Sequence, residues 1–281
     1  MKRVLGTLAA FAIGWSCMVQ VAQARERYTI SRGDVTVDVI DEGSGPLMVL
    51  LPSSARDSED YDAVAEGLAK AGFRVLRPQP RGAGASTGPI EGITLHDLGN
   101  DVAFVIEHAK AGKAIVVGHA FGNWVARMTA VDHPGLVKGV VIAAAASKNY
   151  PKELLVSLRE AGNPNLPDEK RLAALRIAFF APGSDPSVWL KGWHPNMAAY
   201  QKPIIAAPKE DEWWSGGSVP LLDLQALQDP FRPRASANDM KAEFGDRVSI
   251  AAIDHASHAL LPEQPEAVVA AIAGWARTLK P

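Results

Sequence analysis

The residues best suited to chemistry lie in three short segments. The first is Ile115-Val116-Val117-Gly118-His119-Ala120-Phe121-Gly122-Asn123-Trp124, an apolar run passing through Gly-x-x-x-Gly directly into a helical pattern. This is the layout of a nucleophile elbow, where the central residue sits on a strained turn with its side chain exposed at the top of a sheet. Glycines on both sides are needed because strand and helix backbones approach closely there. The second segment, Asp229-Pro230-Phe231-Arg232-Pro233, follows an apolar run and offers a carboxylate. The third, Ser257-His258-Ala259-Leu260-Leu261-Pro262, offers an imidazole just before the last helical stretch. With a nucleophile, an acid and a histidine, the histidine takes the nucleophile's proton, the acid orients the imidazole, and backbone N–H groups hold the oxyanion. Here the central position is Ala120. A methyl group cannot attack a carbonyl.

These segments resemble the α/β-hydrolase fold family, and the resemblance covers nearly all of the chain beyond the first 24 residues. The family's Gly-His-Ser-x-Gly becomes Gly-His-Ala-Phe-Gly here, with Ala120 at the nucleophile position. Arg81-Gly82-Ala83-Gly84-Ala85-Ser86 looks like the family's Arg-Gly-x-Gly-x-Ser loop after the fourth strand. Asp229 to Pro233 is similar to the turn carrying the catalytic acid, and Ser257 to Glu266 to the loop holding the catalytic histidine. The order nucleophile, acid, histidine is also the family's. The resemblance implies an α/β-hydrolase fold: a mostly parallel central sheet flanked by helices, with a helical cap inserted after the sixth strand. It implies catalytic roles for Asp229 and His258, and a structural role for His119. Gly-His-Ala-Phe-Gly further resembles a branch of bacterial α/β-hydrolase-like proteins that carry this alanine naturally. The other origin of Ala120 is a Ser→Ala change made to trap a substrate; the intact leader and the branch resemblance favour the natural residue.

A second departure lies after the third strand, where the family usually has His-Gly and this chain has Leu51-Pro52-Ser53-Ser54-Ala55-Arg56. Pro52 removes an N–H, while Ser53, Ser54 and Arg56 add polar groups. Ser53 and Phe121 are the expected oxyanion and pocket positions. Ser53 is either a displaced nucleophile within reach of His258 or, with Ser54, an ordinary loop hydroxyl capping the helix near Asp57. His258 and Asp229 are either a working base and orienter, able to activate water or take a proton from a substrate, or relics kept for packing. Their position in loops at strand ends favours a working pair. His255 is expected as a neighbour of the pair, not a partner.

The elements that must position these residues follow from periodicity. Alternation over Arg27–Val35 and Val35–Asp41 about Ser31-Arg32-Gly33-Asp34 predicts a hairpin. The continuous apolar run Leu47–Leu51 predicts a strand buried on both faces, Ala114–Val117 reads as another buried strand, and Phe73–Leu76 (closed by Pro78 and Pro80) and Val137–Ala146 as further strands. Helical spacing predicts helices at Asp57–Ala71, Thr94–Lys110 (with a Thr94/Asp97 capping box) and Asn123–Val131. Asp57, Glu59, Asp60 and Asp62 read as a solvated, acidic helix start. Strand Val219–Leu224, helix Ala235–Phe244, strand Val248–Ile253 and helix Glu263–Leu279 complete an alternation that requires a mostly parallel sheet.

That alternation breaks over residues 147–217, a stretch rich in Pro, Gly and aromatics that reads as an insertion within one domain. Trp189, Trp193, Trp213 and Trp214, with His194 and Tyr200, are expected as an aromatic lid over a fairly apolar pocket, or as a satellite core under the cap. No H-x-x-x-H spacing suggests a metal, and Gly82-Ala83-Gly84 lacks the third glycine and helix of a dinucleotide loop, so no cofactor is expected.

Composition narrows the function further. The chain has 281 residues, 47% hydrophobic and 21% charged, too apolar for a disordered protein. With 29 basic against 31 acidic side chains it carries no basic stripe, so no nucleic-acid partner is expected. Lys2-Arg3, an apolar run from Val4 to Val21 and Ala22-Gln23-Ala24 read as a secretory signal peptide over residues 1–24, with residues 25–281 as the hydrolase domain. An uncleaved anchor or a lipid on Cys17 are the other readings; Gly14-Trp15-Ser16 is a poor lipobox. Cleavage after Ala24 would remove the one cysteine and leave 27 basic and 31 acidic residues, fitting a periplasmic or secreted protein with no stable membrane insertion. The expected partner is a small apolar molecule, and the sequence does not speak to oligomeric state. The function implied is hydrolase-like action on a small ester, amide or related carbonyl compound. Two alternatives stand beside it: a non-catalytic ligand binder, and cofactor-free lyase or oxygenase chemistry with His258 as base.

Overall fold

Along Leu47–Leu51 successive side chains enter two different cores. Leu47, Val49 and Leu51 pack on one face of the sheet, Met48 and Leu50 on the other. This follows from the two-residue period of a strand, and it explains why the segment is apolar throughout. Each of these fully buried side chains contributes about 2 kcal/mol. The computed structural model describes residues 24–280 other than 149 and 208, so the expected leader lies outside the described residues but for Ala24.

Eight strands form one sheet: β1 (Glu26–Arg32), β2 (Val35–Gly43), β3 (Leu47–Leu51), β4 (Arg74–Pro78), β5 (Ala114–His119), β6 (Val137–Ala143), β7 (Leu221–Ala226) and β8 (Val248–Ile253). Their order is β1-β2-β4-β3-β5-β6-β7-β8. β2 runs antiparallel to β1 and β4, and every other pairing is parallel. Helices α1 (Asp62–Lys70), α2 (Leu95–Ala109) and α3 (Phe121–Asp132) connect the central strands. Between β6 and β7 the chain forms α4 (Leu154–Ala161), α5 (Asp168–Ala178), α6 (Pro195–Ala206) and the short α7 (Glu210–Trp213). After β7 come α8 (Asp239–Phe244), α9 (Leu260–Glu263) and α10 (Pro265–Ala276). α2 and α3 cover one face through Leu98, Val102, Val125 and Met128; α1 and α10 cover the other through Val64, Leu68, Val268 and Ile272. The chain thus has an α/β-hydrolase fold, with a mostly parallel sheet between two helical layers.

Several element ends differ from the sequence expectations for local reasons. The helix expected from Asp57 opens as a 3-10 turn over Ser58–Tyr61 before α1 begins. Asp57 caps that turn by accepting from Glu59 N at 3.0 Å. Ser54 does not cap it; its hydroxyl donates to Gln201 on α6 at 2.8 Å. Of the expected solvated acidic start, Glu59 and Asp62 are exposed, whereas Asp60 is buried against Arg56. β6 stops at Ala143, since Ala144 takes a positive φ of 45°. The last helix is divided at Gln264, whose ψ of 57° is not helical, with Pro265 opening α10. Thr94 and Asp97 form the expected capping box on α2. No helix among the described residues is long and apolar enough to cross a membrane.

Candidate active site

β5, paired on both sides within the sheet, ends at His119, and the next residue makes the turn into α3. Ala120 holds φ 47° and ψ −113°, a conformation that costs a residue with a side chain about 1–3 kcal/mol. The turn is enforced by two glycines. A Cβ on Gly118 would lie 2.3 Å from the Gly122 carbonyl oxygen, and one on Gly122 would lie 2.5 Å from the carbonyl oxygens of Leu51 and Pro52. Strand, helix and the loop after β3 are therefore in backbone contact. Ala120 N donates to Ala143 O at 3.0 Å, tying the turn to the end of β6. This is the geometry of a nucleophile elbow with an alanine at its apex.

The acid and the histidine come from the loops after β7 and β8. Asp229 opens a tight turn in which its Oδ1 accepts from Phe231 N at 2.8 Å. Its Oδ2 accepts from His258 Nδ1 at 2.9 Å, and both residues are buried. A carboxylate can only accept, so the proton sits on Nδ1 and Nε2 is left as the basic nitrogen. Phe231 and Phe179 flank the imidazole, with ring centroids 4.6 and 5.7 Å from it.

His119 joins the elbow to this pair. Its Nε2 donates to the His258 carbonyl oxygen at 2.7 Å. Burial pushes its imidazole down to about 3, with His258 adding to the shift, so the ring is neutral. His255 is exposed beside Asp254 and takes no part. Ser53 is buried, and its carbonyl accepts from Arg56 N at 3.2 Å. Among the described residues no hydrogen bond joins Ser53 to His258. Phe121 opens α3, where the first N–H groups of a helix have no partner within it, and its ring packs 5.8 Å from Trp124.

The four tryptophans do not form one lid. Trp189 and Trp193 meet edge-on at 6.2 Å and pack with Phe179, while Trp189 also stands 6.1 Å from His119. Trp213 instead stacks on Trp124 of α3 at 4.6 Å, and Trp214 donates to Glu243 of α8 at 2.8 Å. The reason is α7, which lies on the outer side of α3 and carries this second pair away from His258. Only the first pair belongs to the surroundings of the dyad.

Two positions not singled out by periodicity hold the cap to the site. Arg56 is 2% exposed, forks onto Asp60, and lies 4.6 and 4.8 Å from the Trp189 and Trp193 rings. Burial pushes the Asp60 carboxyl up, and Arg56 opposes that shift. Gln201 of α6 accepts from Ala55 N and from the Ser54 hydroxyl, each at 2.8 Å. Next to it, a cavity of about 60 Å³ is walled by Leu51, Pro52, Val102, Phe121, Tyr200 and Gln201 among others. A water needs roughly 10–15 Å³ of such space, so only a small group fits. Arg81 seals its far side by forking onto Asp101 at 2.7 and 2.8 Å.

Residues 46–198, more than half of the chain, match the model of the alpha/beta hydrolase fold family. The chain belongs to that family. It is 32% identical over 109 residues to a 2-(acetamidomethylene)succinate hydrolase of Mesorhizobium japonicum, a match covering 39% of each chain. It is 26% identical over 244 residues to a non-heme chloroperoxidase of Streptomyces lividans, covering 74% of this chain and 83% of that one. Among solved structures, a thermophilic esterase from Thermogutta terrifontis superposes with a TM-score of 0.71 at 22% identity, over 90% of this chain and 98% of that one. The first curated relatives are matched over less than two fifths or so of their length, 39% and 36% for the first two. Its relatives are hydrolases and related enzymes of this superfamily.

Proposed function

We propose that this protein is an exported hydrolase acting on a small, apolar ester, amide or related carbonyl compound, with His258 and Asp229 activating water in place of a serine. The observation that carries the reading is the buried 2.9 Å contact between His258 Nδ1 and Asp229, which leaves Nε2 free as a base. Ala120 stands where this family places its nucleophile, as in a branch with Gly-His-Ala-Phe-Gly, and its methyl group cannot attack, so the reading gives that part to a water molecule. In the step proposed, Nε2 takes a proton from that water while the oxygen bonds to the substrate carbonyl carbon. The displaced electron pair settles on the carbonyl oxygen, towards the Phe121 N–H at the start of α3. When the bond to the leaving group breaks, the imidazolium returns the proton to it. Ser53 sits in the loop that would frame the oxyanion, and Trp189 and Trp193 close the site through Phe179. The apolar cavity beside Phe121 favours a small acyl group. Export rests on the leader-like residues 1–24 and on a remaining chain free of cysteine.

The test is turnover of p-nitrophenyl acetate in water enriched in oxygen-18, by the protein, Ala120→Ser and His258→Ala. The reading expects slow hydrolysis with label in the acetate, lost in His258→Ala by about 10²–10⁴-fold. A large gain in Ala120→Ser that depends on His258 would show that the dyad is competent. Turnover that survives His258→Ala removes the dyad from the mechanism. No turnover by any of the three replaces hydrolysis of short esters with a ligand-binding role.

A further inference from the structure

The turn that carries Asp229 has few backbone ties to its surroundings. Pro230 and Pro233 have no N–H, and the two N–H groups between them bond back within the turn. Phe231 N donates to Asp229 Oδ1 at 2.8 Å and Arg232 N to Asp229 O at 3.0 Å. Among the described residues, the segment Pro230–Arg232 is tied outward by Ser147 N, which donates to Phe231 O at 2.9 Å, and by the Arg232 guanidinium. Arg232 donates through Nη2 to Asp223 Oδ2 at 2.8 Å and through Nη1 to Ala145 O at 3.4 Å. One side chain therefore joins the turn to the middle of β7 and to the segment that follows β6.

Its partner is out of character for the strand. β7 reads Leu221-Leu222-Asp223-Leu224-Gln225-Ala226, is paired with β6 and β8 on its two sides, and is buried throughout. The side chains of Arg232 and Asp223 are 4% and 1% exposed. Taking both charges out of water is costly, and two apolar side chains of similar volume would hold a core at least as well. What the ion pair adds is direction, which apolar contact lacks. The carboxylate is itself held in place, because Gln225 Nε2 donates both to Asp223 Oδ2 at 2.8 Å and to Ala237 O at 2.6 Å. On its other side the turn meets the imidazole twice. Asp229 Oδ2 accepts from His258 Nδ1 at 2.9 Å, and the Phe231 ring centroid lies 4.6 Å from that of His258. A working site needs such contacts held to within about 0.5 Å.

We propose that Arg232 and Asp223 are positioning residues for the base: their ion pair sets the place of the Asp229 turn, and through it the Nδ1 contact of His258. The proposal rests on the reading of His258 and Asp229 as a working pair, but its test does not depend on turnover.

The experiment is proton NMR of the full chain at neutral pH, reading the His258 Nδ1 proton. A hydrogen bond to a buried carboxylate places that proton downfield of the amides and slows its exchange with water. His258→Gln identifies the resonance, and Asp229→Asn gives the signature of a broken contact. Arg232→Met/Asp223→Leu removes both charges together and keeps an apolar side chain at each position. Thermal unfolding is expected to show this variant folded, while the proton exchanges at least about tenfold faster or leaves the downfield region. If it does not fold, Arg232→Met/Asp223→Asn takes its place, since asparagine keeps an acceptor for Gln225. A pair that served stability alone would leave the resonance of a folded variant where it was. That result, with an unchanged exchange rate, overturns the proposal and leaves the dyad standing. Absence of the resonance from the unsubstituted protein overturns the dyad reading and the proposal with it.

Discussion

The Nε2 of His119 donates to the backbone carbonyl of His258 across 139 residues of sequence, at 2.7 Å. The residue before the elbow alanine thus fixes the height of the loop on which the catalytic-type histidine sits. His119 must be neutral to do this without burying a charge, and burial keeps it so.

Loss of that bond should be costly. His119→Ala leaves the His258 carbonyl unsatisfied and opens a void beside Trp189, so it is expected to destabilise the fold by about 3 kcal/mol. Urea unfolding measures this. A loss under about 0.5 kcal/mol would show that the contact does not support the loop.

The same imidazole makes stability depend on pH. Its folded value lies near 3 against 6.5 for the free side chain, so between those limits the unfolded chain binds a proton that the folded chain does not. Stability from this group is then complete above about pH 6.5 and falls as pH drops towards 3. Urea unfolding from pH 7 to pH 4 in the protein and in His119→Gln checks the sign. The variant should lose up to one proton's worth of slope, and identical slopes would contradict the assignment.

Asp229→Asn preserves shape but reverses the hydrogen bond, so Nδ1 becomes the acceptor and Nε2 carries the proton. Any activity that uses His258 as a base should fall by about 10³–10⁴-fold while the fold persists. The turnover assay above reads this, with circular dichroism to confirm folding. Retained activity would exclude the tautomer argument.

Backbone strain at the elbow gives two opposed expectations. Ala120→Gly relieves the positive φ and should stabilise the protein by about 1 kcal/mol net of added chain entropy. Gly118→Ala drives a methyl group into the Gly122 carbonyl and should destabilise it by about 3 kcal/mol or prevent folding. Paired denaturation curves test both. Equal stabilities would mean that the turn carries no strain.

Arg56→Met leaves Asp60 as an uncompensated buried carboxylate and removes the guanidinium from between Trp189 and Trp193. A loss of about 3–5 kcal/mol is expected. The double variant Arg56→Met/Asp60→Leu should recover much of it. Failure of the double variant to recover would place the effect in the tryptophan contacts.

The sequence was readable where one local rule governs a segment. Leu47–Leu51 is apolar because both of its faces are covered, and Gly118 and Gly122 mark the backbone crossing that defines the elbow. Asp229 and His258 could be paired because each sits at a strand end in a recognisable turn. What escaped depended on which faces meet in space. Four tryptophans close in sequence look alike in composition, but α7 carries Trp213 and Trp214 onto α3 while Trp189 and Trp193 turn towards His119. Asp60 looked like a solvated helix start because its partner Arg56 is buried by cap residues more than 130 positions away, Lys191 among them. Phe179 and Gln201 carry no local signal at all.

The elbow keeps its strained backbone with an alanine at the apex, which separates the architecture of this site from its reactivity. Its shape is set by Gly118, Gly122 and the crossing of three chain segments, all at positions other than 120. One oxygen atom more or less at that position changes what the site can attack without changing how the chain folds. A scaffold of this kind can exchange one chemistry for another by a single substitution, with its stability almost untouched.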